Sequence, residues 1–273
     1  MIMSKKASAP IGIFDSGIGG LTVARAVKNL LPNEQIIYFG DTAHLPYGDK
    51  STASIQAYSV KIADVLLKAE CKLILIACNS ASAAAYELVS AYVASKAKVF
   101  NVIDPVVDYL REHQTNKKVG LIGTKQTVGS GVYRKKVDSL NVNISFVALA
   151  TPLLAPMIEE GFHRNEVSEG IIKSYLSHPE LTELDALVLG CTHYPLIKKQ
   201  VEQFYKGNVE VIDSSEMVAK ATKAFLELNN LVNQDTAPKK DRFLVSDYTV
   251  SFEQATQLFF GKEVSLEKYP LWE

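Results

Sequence analysis

The chain has little of several features that define large protein classes. Of its 273 residues only 3 are cysteine and 1 is tryptophan, and its five histidines are scattered. Three cysteines cannot all pair within one chain, and none forms a Cys-x-x-Cys motif. The sequence therefore predicts neither a disulfide framework nor a metal site. No apolar run approaches the roughly 18 residues of a membrane span, so a membrane protein is not expected either.

An excess of charge of one sign is also missing. The chain carries 29 Lys and Arg against 30 Asp and Glu, a formal net charge of −1. A nucleic-acid-binding surface shows as a clustered basic patch, so no nucleic-acid partner is expected. The first ten residues, Met1 to Pro10, lack the apolar core of a signal peptide and predict a frayed leader. We therefore expect a cytoplasmic protein with reduced thiols.

Short aliphatic runs alternate with helix-like segments, such as 51–70 and 80–94, along most of the chain. This alternation is typical of βαβ units, so the predicted fold class is α/β with mainly parallel sheets flanked by helices. Eight or nine strands in 273 residues fit two sheets better than one. The strand-like runs cover residues 11–14, 35–39, 73–77, 98–100, 118–122, 143–147, 186–190, 209–212 and 243–245.

Two cysteines occupy similar places in this pattern. Cys78 follows the run 73–77, Cys191 follows the run 186–190, and small polar residues come after each. The carboxyl ends of parallel strands are where ligands bind in open α/β sheets, and a helix N-terminus there lowers the pKa of a thiol. Two thiols presented alike suit acid–base chemistry on both sides of one carbon atom. The third cysteine, Cys71, is expected to be a packed core residue.

Polar residues follow other strands as well. Asp15 opens a glycine-rich segment that favours anion binding near a helix N-terminus, although the dinucleotide pattern Gly-x-Gly-x-x-Gly is not satisfied. Asp15 is as well suited to cap that helix as to act in catalysis. Tyr47 offers a hydroxyl, or Gly48 an N–H, to a carboxylate, unless the segment is an ordinary turn. The acidic pair after Ile158 is expected on a solvated helix face that ends at Gly161.

Together these segments resemble the glutamate racemase family, part of the wider cofactor-independent aspartate/glutamate racemase superfamily. They follow the family's order from about Ile11 to about Asp213, and the double cysteine motif is highly specific to the superfamily. The resembling segments are 12–21, 46–48, 77–83, 122–124 and 189–195.

The resemblance implies an enzyme that interconverts L- and D-glutamate without a cofactor, supplying D-glutamate for bacterial cell-wall peptidoglycan. It implies two α/β domains with the active site in the cleft between them, in a homodimer. We place the first domain at residues 1–98 plus 213–273 and the second at 99–212.

The resemblance also implies the roles of individual residues. Cys78 and Cys191 match the two acid–base thiols, and Asp15, His193 and Glu159 match their helpers. At position 80 the family more often has threonine, so the hydroxyl is kept while a methyl group is lost. The implied substrate-binding residues are Asp15, Ser16, Tyr47, Gly48, Asn79, Ser80, Thr192 and His193, with Thr124 as a weaker candidate.

Three other functions fit parts of the sequence. A racemase for aspartate or another amino acid would share both cysteines and differ around the side-chain carboxylate. A two-domain ligand-binding module would not need two costly exposed thiols. A cysteine hydrolase that pairs Cys191 with His193 leaves Cys78 unexplained, and residues two apart rarely place a nucleophile and its base in contact.

Overall fold

The computed structural model describes residues 6–163 and 165–273. The strands are β1 Ile11–Asp15, β2 Ile36–Gly40, β3 Leu73–Ile76, β4 Lys98–Asn101, β5 Lys117–Gly123, β6 Ile144–Ala150, β7 Ala186–Gly190, β8 Glu210–Asp213, β9 Arg242–Val245 and β10 Glu267–Lys268. The α-helices are α1 Leu21–Leu30, α2 Thr52–Lys68, α3 Asn79–Val93, α4 Asp104–His113, α5 Lys125–Gly129, α6 Val132–Ser139, α7 Leu154–Glu159, α8 Glu166–Leu176, α9 Lys198–Phe204, α10 Ser214–Leu228 and α11 Val250–Phe260. Short 3₁₀ helices cover Tyr47–Asp49, Pro179–Leu181 and Tyr194–Ile197.

The α/β fold class is confirmed, and each of the nine predicted runs forms a strand. Every residue of β1, β3 and β7 is buried, as expected for parallel strands covered by helices on both faces. The strand that the pattern did not predict is β10, whose two residues are both exposed. A two-residue strand with no buried face has no hydrophobic pattern to detect.

The strands form two sheets with related topology. The first has the order β10-β9-β2-β1-β3-β4 and the second β6-β5-β7-β8. All pairings in both sheets are parallel. Within each, the first strand lies between the second and the third, and the fourth lies outside the third. The chain thus reverses its direction of winding between β1 and β3, and again between β5 and β7. Such switch points are where open α/β sheets bind ligands.

The strand pairings can be compared with the predicted domain boundaries. The predicted boundary at residue 98 falls at the start of β4, but β4 pairs with β3, so the first sheet extends to Asn101. After β8 the chain returns to the first sheet, where β9 pairs with β2. Helix α10, which follows β8, packs on α1. The division into domains remains a prediction, whereas these strand pairings are features of the structure.

The N-terminal segment is held in place over the residues that the structure describes. The buried Lys72 ammonium donates to the carbonyl oxygens of Ala7, at 2.5 Å, and Leu231, and it pairs with the buried Glu34 carboxylate at 2.6 Å. Pro10 accepts a hydrogen bond from the Lys72 backbone. The expectation of a frayed leader is therefore wrong for residues 7–10, and its first five residues lie outside the described part of the chain.

Within the described ranges, none of the helices has the length and apolar character needed to cross a membrane.

Candidate active site

Four loops at the two switch points bring the candidate residues together. Asp15 ends β1 and Cys78 follows β3 in the first sheet, while Thr124 follows β5 and Cys191 follows β7 in the second. The two thiols therefore occupy equivalent positions, each just beyond the third strand of its unit. Both are buried, with 6% of each residue exposed.

Cys78 is the N-cap residue of α3. Its Sγ accepts a hydrogen bond from the Ala81 N–H at 3.4 Å and donates to Ser16 Oγ at 3.7 Å. The expectation that the helix N-terminus lowers the pKa of this thiol is wrong. Burial, followed by the negative charge of Asp15, outweighs both hydrogen bonds and raises the pKa of Cys78 to about 12. At neutral pH Cys78 in this structure is therefore a protonated thiol.

Asp15 is fully buried beside Cys78. Its Oδ2 accepts the Gly17 N–H at 3.1 Å, but α1 begins after Gly20 and has no side-chain cap, so Asp15 does not cap that helix. Its Oδ1 has no hydrogen-bond partner among the residues described. Burial raises the pKa of Asp15 above its ordinary value, partly offset by the positive charge of His193. An unsatisfied buried carboxylate oxygen is costly, and such groups are typical of functional sites.

Cys191, in the loop after β7, begins a chain of acid–base groups that ends at Glu159 of α7. Its Sγ lies 3.6 Å from His193 Nδ1, and His193 Nε2 donates to Glu159 Oε1 at 2.8 Å. Burial alone lowers the pKa of His193, but the contacts with Cys191 and Glu159 together raise it well above the ordinary value. Glu159, at the end of α7, thus contacts the imidazole instead of lying on a solvated face. Gly161 does end this short helix region, with a φ of +77°.

The contact between Cys191 and His193 also corrects an argument made from spacing. Residues two apart were expected to stay out of contact, yet the turn after β7 brings thiol and imidazole together. Spacing therefore gives no argument against the hydrolase alternative. It still leaves Cys78 and its Asp15 partner without a role.

The two halves of the site are close enough to influence each other. The charge of Cys191 contributes to the raised pKa of Cys78, and Glu159 contributes to that of Asp15. The β1–α1 loop also packs directly on the loop after β7, which carries Thr192 and His193. A Cβ atom added at Gly19 would lie 2.3 Å from His193 Cε1 and 2.7 Å from Thr192 Oγ1. Only glycine allows this close approach.

Hydroxyl groups from both sheets meet beside Cys78. Ser80 Oγ lies 2.8 Å from Thr124 Oγ1 and 3.3 Å from Thr127 Oγ1. Thr124 is the N-cap of α5, and its side chain accepts the Thr127 N–H. The structure thus places Ser80 and Thr124 together, and it adds Thr127, which the sequence did not single out. Thr192 lies in the Cys191 loop, where its carbonyl accepts from Thr22 Oγ1 at 3.0 Å.

The buried Tyr47 differs from the expectation in one respect. Its hydroxyl donates to Asp41 Oδ2 at 2.7 Å, so that proton is not available to a substrate carboxylate. The Gly48 N–H remains the donor that this segment offers. Gly48 also lies against the loop after β5, since a Cβ at Gly48 would be 2.9 Å from Thr124 Cβ.

Besides Thr127, two residues of this neighbourhood escaped the sequence analysis. Asp41 follows β2 and also accepts from Ser246 Oγ at 2.7 Å and from Trp272 Nε1 at 2.8 Å, so it joins the Tyr47 loop to the C-terminal segment. Its position directly after a buried strand was an available signal. Tyr133, on α6, donates to Asn79 Oδ1 at 2.8 Å. No local pattern points to Tyr133, because the contact joins segments that are far apart in the chain.

Cys71 is fully buried, and its Sγ would lie 3.0 Å from a Cβ placed at Gly12 of β1. This is the packed position expected for it. In the part of the chain that the structure covers, no group of three or more His, Cys, Asp or Glu side chains could hold a metal ion.

Comparisons with known proteins agree with this geometry. The sequence model of the Asp/Glu/hydantoin racemase family matches residues 21–222. Glutamate racemase from Chlorobaculum parvum is 39% identical over 94% of each chain. Glutamate racemase from Syntrophus aciditrophicus is 40% identical over 93% of this chain and 94% of its own. The crystal structure of glutamate racemase from Francisella tularensis in complex with D-glutamate has a TM-score of 0.90 and 38% identity. It covers 97% of this chain and 99% of its own.

Two α/β units that each present a buried thiol to a shared site define the class of this protein as an amino-acid racemase, an isomerase. The chain belongs to the Asp/Glu/hydantoin racemase family, within its glutamate racemase branch.

Proposed function

We propose that this chain interconverts L- and D-glutamate by direct proton transfer between Cys78 and Cys191, without a cofactor. The observation that carries the proposal is the equivalence of the two thiols. Each follows the third strand of its unit, and each lies beside its own acid–base partner. Racemisation is nearly symmetric, so an enzyme that starts from either enantiomer needs similar groups on both faces of Cα.

The proposed proton transfer balances without an oxidant or a reductant. A thiolate on one face takes the α-hydrogen of glutamate as a proton, and the electron pair remains on Cα. The thiol on the opposite face then donates its proton to that carbon, which inverts the configuration. The first sulfur ends protonated and the second ends as a thiolate, so the site is left ready for the opposite enantiomer.

The neighbours of each thiol support the ionisation changes that this cycle needs. His193 is placed to take a proton from Cys191 or to return it, and Glu159 stabilises the imidazolium from the other side. Burial and the negative charge of Asp15 both oppose the loss of the proton that Cys78 must give up. The ammonium group of a bound amino acid would offset that negative charge, so we propose that substrate binding itself activates the Cys78 side.

Hydrogen-bond donors around the thiols fit the two carboxylates of glutamate. We propose that the Gly48 N–H, the Asn79 amide and the hydroxyls of Ser80, Thr192 and Ser16 bind the substrate. The Tyr47 hydroxyl, through its bond to Asp41, holds the segment that carries Gly48. Held in this way, Cα lies between two sulfurs in a site from which water is largely excluded.

Activity with L-glutamate and L-aspartate, measured by circular dichroism on the purified chain without added cofactor, tests the proposal. We expect racemisation of glutamate and at least about a hundredfold lower kcat/KM for aspartate, because the shorter carboxylate leaves buried donors unpaired. Equal or greater activity with aspartate would favour the aspartate racemase alternative. A requirement for added pyridoxal phosphate would overturn the two-thiol mechanism.

We further propose that the product serves peptidoglycan synthesis and that the chain works as a cytoplasmic homodimer, as the family resemblance implies. In the source organism, depletion of the protein should stop growth unless D-glutamate is supplied in the medium. Growth without D-glutamate would contradict this role. Light scattering on the purified chain should give twice the monomer mass of 30.0 kDa.

A further inference from the structure

A single hydrogen bond between the two halves of the molecule fixes the orientation of the Asn79 side chain. The Tyr133 hydroxyl, on α6, donates to Asn79 Oδ1, on α3, at 2.8 Å. Both residues are almost fully buried, with 1% of Tyr133 and 2% of Asn79 exposed. Asn79 directly follows Cys78, so the bond reaches the first residue beyond a proposed catalytic thiol.

The other end of the same amide is unsatisfied. Asn79 Nδ2 is buried and has no hydrogen-bond partner in the described residues. A buried N–H₂ group without an acceptor destabilises the folded state, so native structures seldom leave one unless a ligand or water completes it. The missing partner must be an acceptor, because Nδ2 can only donate.

The direction of this bond follows from the Tyr133 side. Within residues 6–163 and 165–273, the Tyr133 hydroxyl proton has Asn79 Oδ1 as its acceptor and makes no other side-chain hydrogen bond. If the amide were reversed, that buried proton would lose its acceptor. Burial and the charge of Asp104 also raise the pKa of Tyr133, so the hydroxyl keeps its proton across the physiological range.

We propose that Tyr133 is a positioning residue for the substrate. By occupying Asn79 Oδ1 it keeps Nδ2 as the group that faces a glutamate carboxylate, and it keeps the repelling carbonyl oxygen away. Its ring is held parallel to that of Phe146, with an interplanar angle of 14° and the centroids 6.5 Å apart. The hydroxyl therefore approaches Asn79 from a fixed direction. This inference rests on the proposed function, since it names the donor that binds the substrate of that site.

Replacement of Tyr133 by phenylalanine tests the inference, because it removes the hydroxyl and keeps the ring. We expect Tyr133→Phe to raise KM for both enantiomers about tenfold, the cost of losing one oriented hydrogen bond to a charged group, while kcat changes less than about twofold. In an Asn79→Ala background the same substitution should change KM less than about twofold, since there is no amide left to orient. A melting curve should show that each variant is folded.

A matched control is Tyr205→Phe, which removes a hydroxyl that donates to the Leu181 carbonyl, away from the site. It should leave KM unchanged. An unchanged KM in Tyr133→Phe, or the same increase in both backgrounds, would overturn the inference while leaving the racemase proposal intact. The dissociation constant of D-glutamate, measured by calorimetry on the unaltered chain, Tyr133→Phe, Asn79→Ala and the double variant, should show the same pattern. If the unaltered chain racemises no glutamate, the proposed function fails, and this binding series still decides the role of Tyr133.

Discussion

At the scale of single residues, the two thiols have different surroundings although their positions in the fold are equivalent. Cys78 lies beside a buried carboxylate, and its pKa is raised. Cys191 lies beside an imidazole whose positive charge is favoured by Glu159. The reaction is nearly symmetric, but the acid–base group beside Cys78 is a carboxylate and the one beside Cys191 is an imidazole. Asp15 and His193 should affect the two directions of reaction unequally.

Replacement of either thiol by alanine should abolish racemisation. Because each sulfur is proposed to act as acid in one direction and base in the other, Cys78→Ala and Cys191→Ala should each lower kcat at least about a hundredfold in both directions. Cys71→Ala is the matched control, since it removes a buried thiol that lies outside the site, and it should retain near-normal kcat. Normal activity in either of the first two variants, measured by circular dichroism, would remove the two-thiol mechanism.

Replacement of Asp15 by asparagine should stabilise the fold while impairing catalysis. Burial raises the pKa of Asp15, so above its ordinary value of 3.8 the ionised carboxylate destabilises the folded state. The Tm of Asp15→Asn should therefore exceed that of the unaltered protein at pH 7. The gain should shrink as the pH falls towards 4, where the unfolded chain also takes up the proton. A surface control, Asp138→Asn, should change Tm little at any pH, and a lower Tm for Asp15→Asn at pH 7 would contradict the account.

Single residues of the site were predictable from the sequence where a local pattern marks their position. Cys78 and Cys191 stand at the ends of buried strands, and this placement marks them for a ligand site. The raised pKa of Cys78 was not predictable, because it depends on burial by segments distant in sequence. Tyr133 was missed for the same reason, since its contact with Asn79 bridges the two sheets.

At the scale of elements, the loop between β1 and α1 is shaped by close packing as well as by its polar residues. Gly19 lies against His193 and Thr192, whereas a Cβ at Gly17 would meet its nearest neighbour, Leu45 Cδ2, at an ordinary 3.5 Å. These neighbouring glycines therefore have different tolerances for a side chain.

Gly19→Ala should lower kcat by about tenfold or more, because its methyl group would displace the His193 ring from Cys191 and Glu159. Gly17→Ala adds the same methyl group to the same loop and should keep most of the activity. The pH profile of kcat/KM provides a second measurement, which should change for Gly19→Ala and not for Gly17→Ala. Equal losses in both variants would show that the loop needs glycine only for its backbone conformation.

The C-terminal segment is a second element that reaches the site. Trp272 donates through Nε1 to Asp41, which also accepts a hydrogen bond from Tyr47. The Trp272 and His44 rings pack edge to face, with their centroids 4.6 Å apart. Trp272→Phe keeps an aromatic ring and removes the donor. It should cost about 1 kcal/mol in stability and raise KM for glutamate, because Asp41 holds the Tyr47 loop.

The matching control for this substitution is Tyr248→Phe, at an exposed aromatic residue that precedes α11. Its KM and its chemical denaturation midpoint should stay unchanged. If Trp272→Phe lowers stability but leaves KM unchanged, the segment supports the fold without positioning the loop.

Elements with a strong hydrophobic pattern were predictable, and those defined by distant contacts were not. The buried strands β1, β3 and β7 are continuous aliphatic runs that the sequence displays directly. The exposed β10 has no such pattern, and the hydrogen bond between Trp272 and Asp41 joins residues 231 positions apart in the chain.

At the scale of the whole molecule, the repeated strand order explains why two distant cysteines meet. Each unit has the order second-first-third-fourth, and each opens a switch point beside its third strand. The weak likeness between the Cys78 and Cys191 segments, 113 positions apart, was an incomplete sign of this repeat. Strand order depends on which edges pair, and no local sequence pattern records that choice. The fold class was therefore predictable from the sequence, while the arrangement that joins the two switch points required the structure.

The central claim is that two different groups handle the proton on the two faces of Cα. Its most direct test is the deuterium content of D-glutamate formed from L-glutamate in deuterated water, measured by mass spectrometry at low conversion. The account predicts that nearly every product molecule carries deuterium at Cα, because the incoming proton comes from a thiol that has exchanged with solvent, while the remaining L-glutamate carries almost none. Mostly undeuterated product would show one base returning the same hydrogen, and it would contradict the two-thiol mechanism.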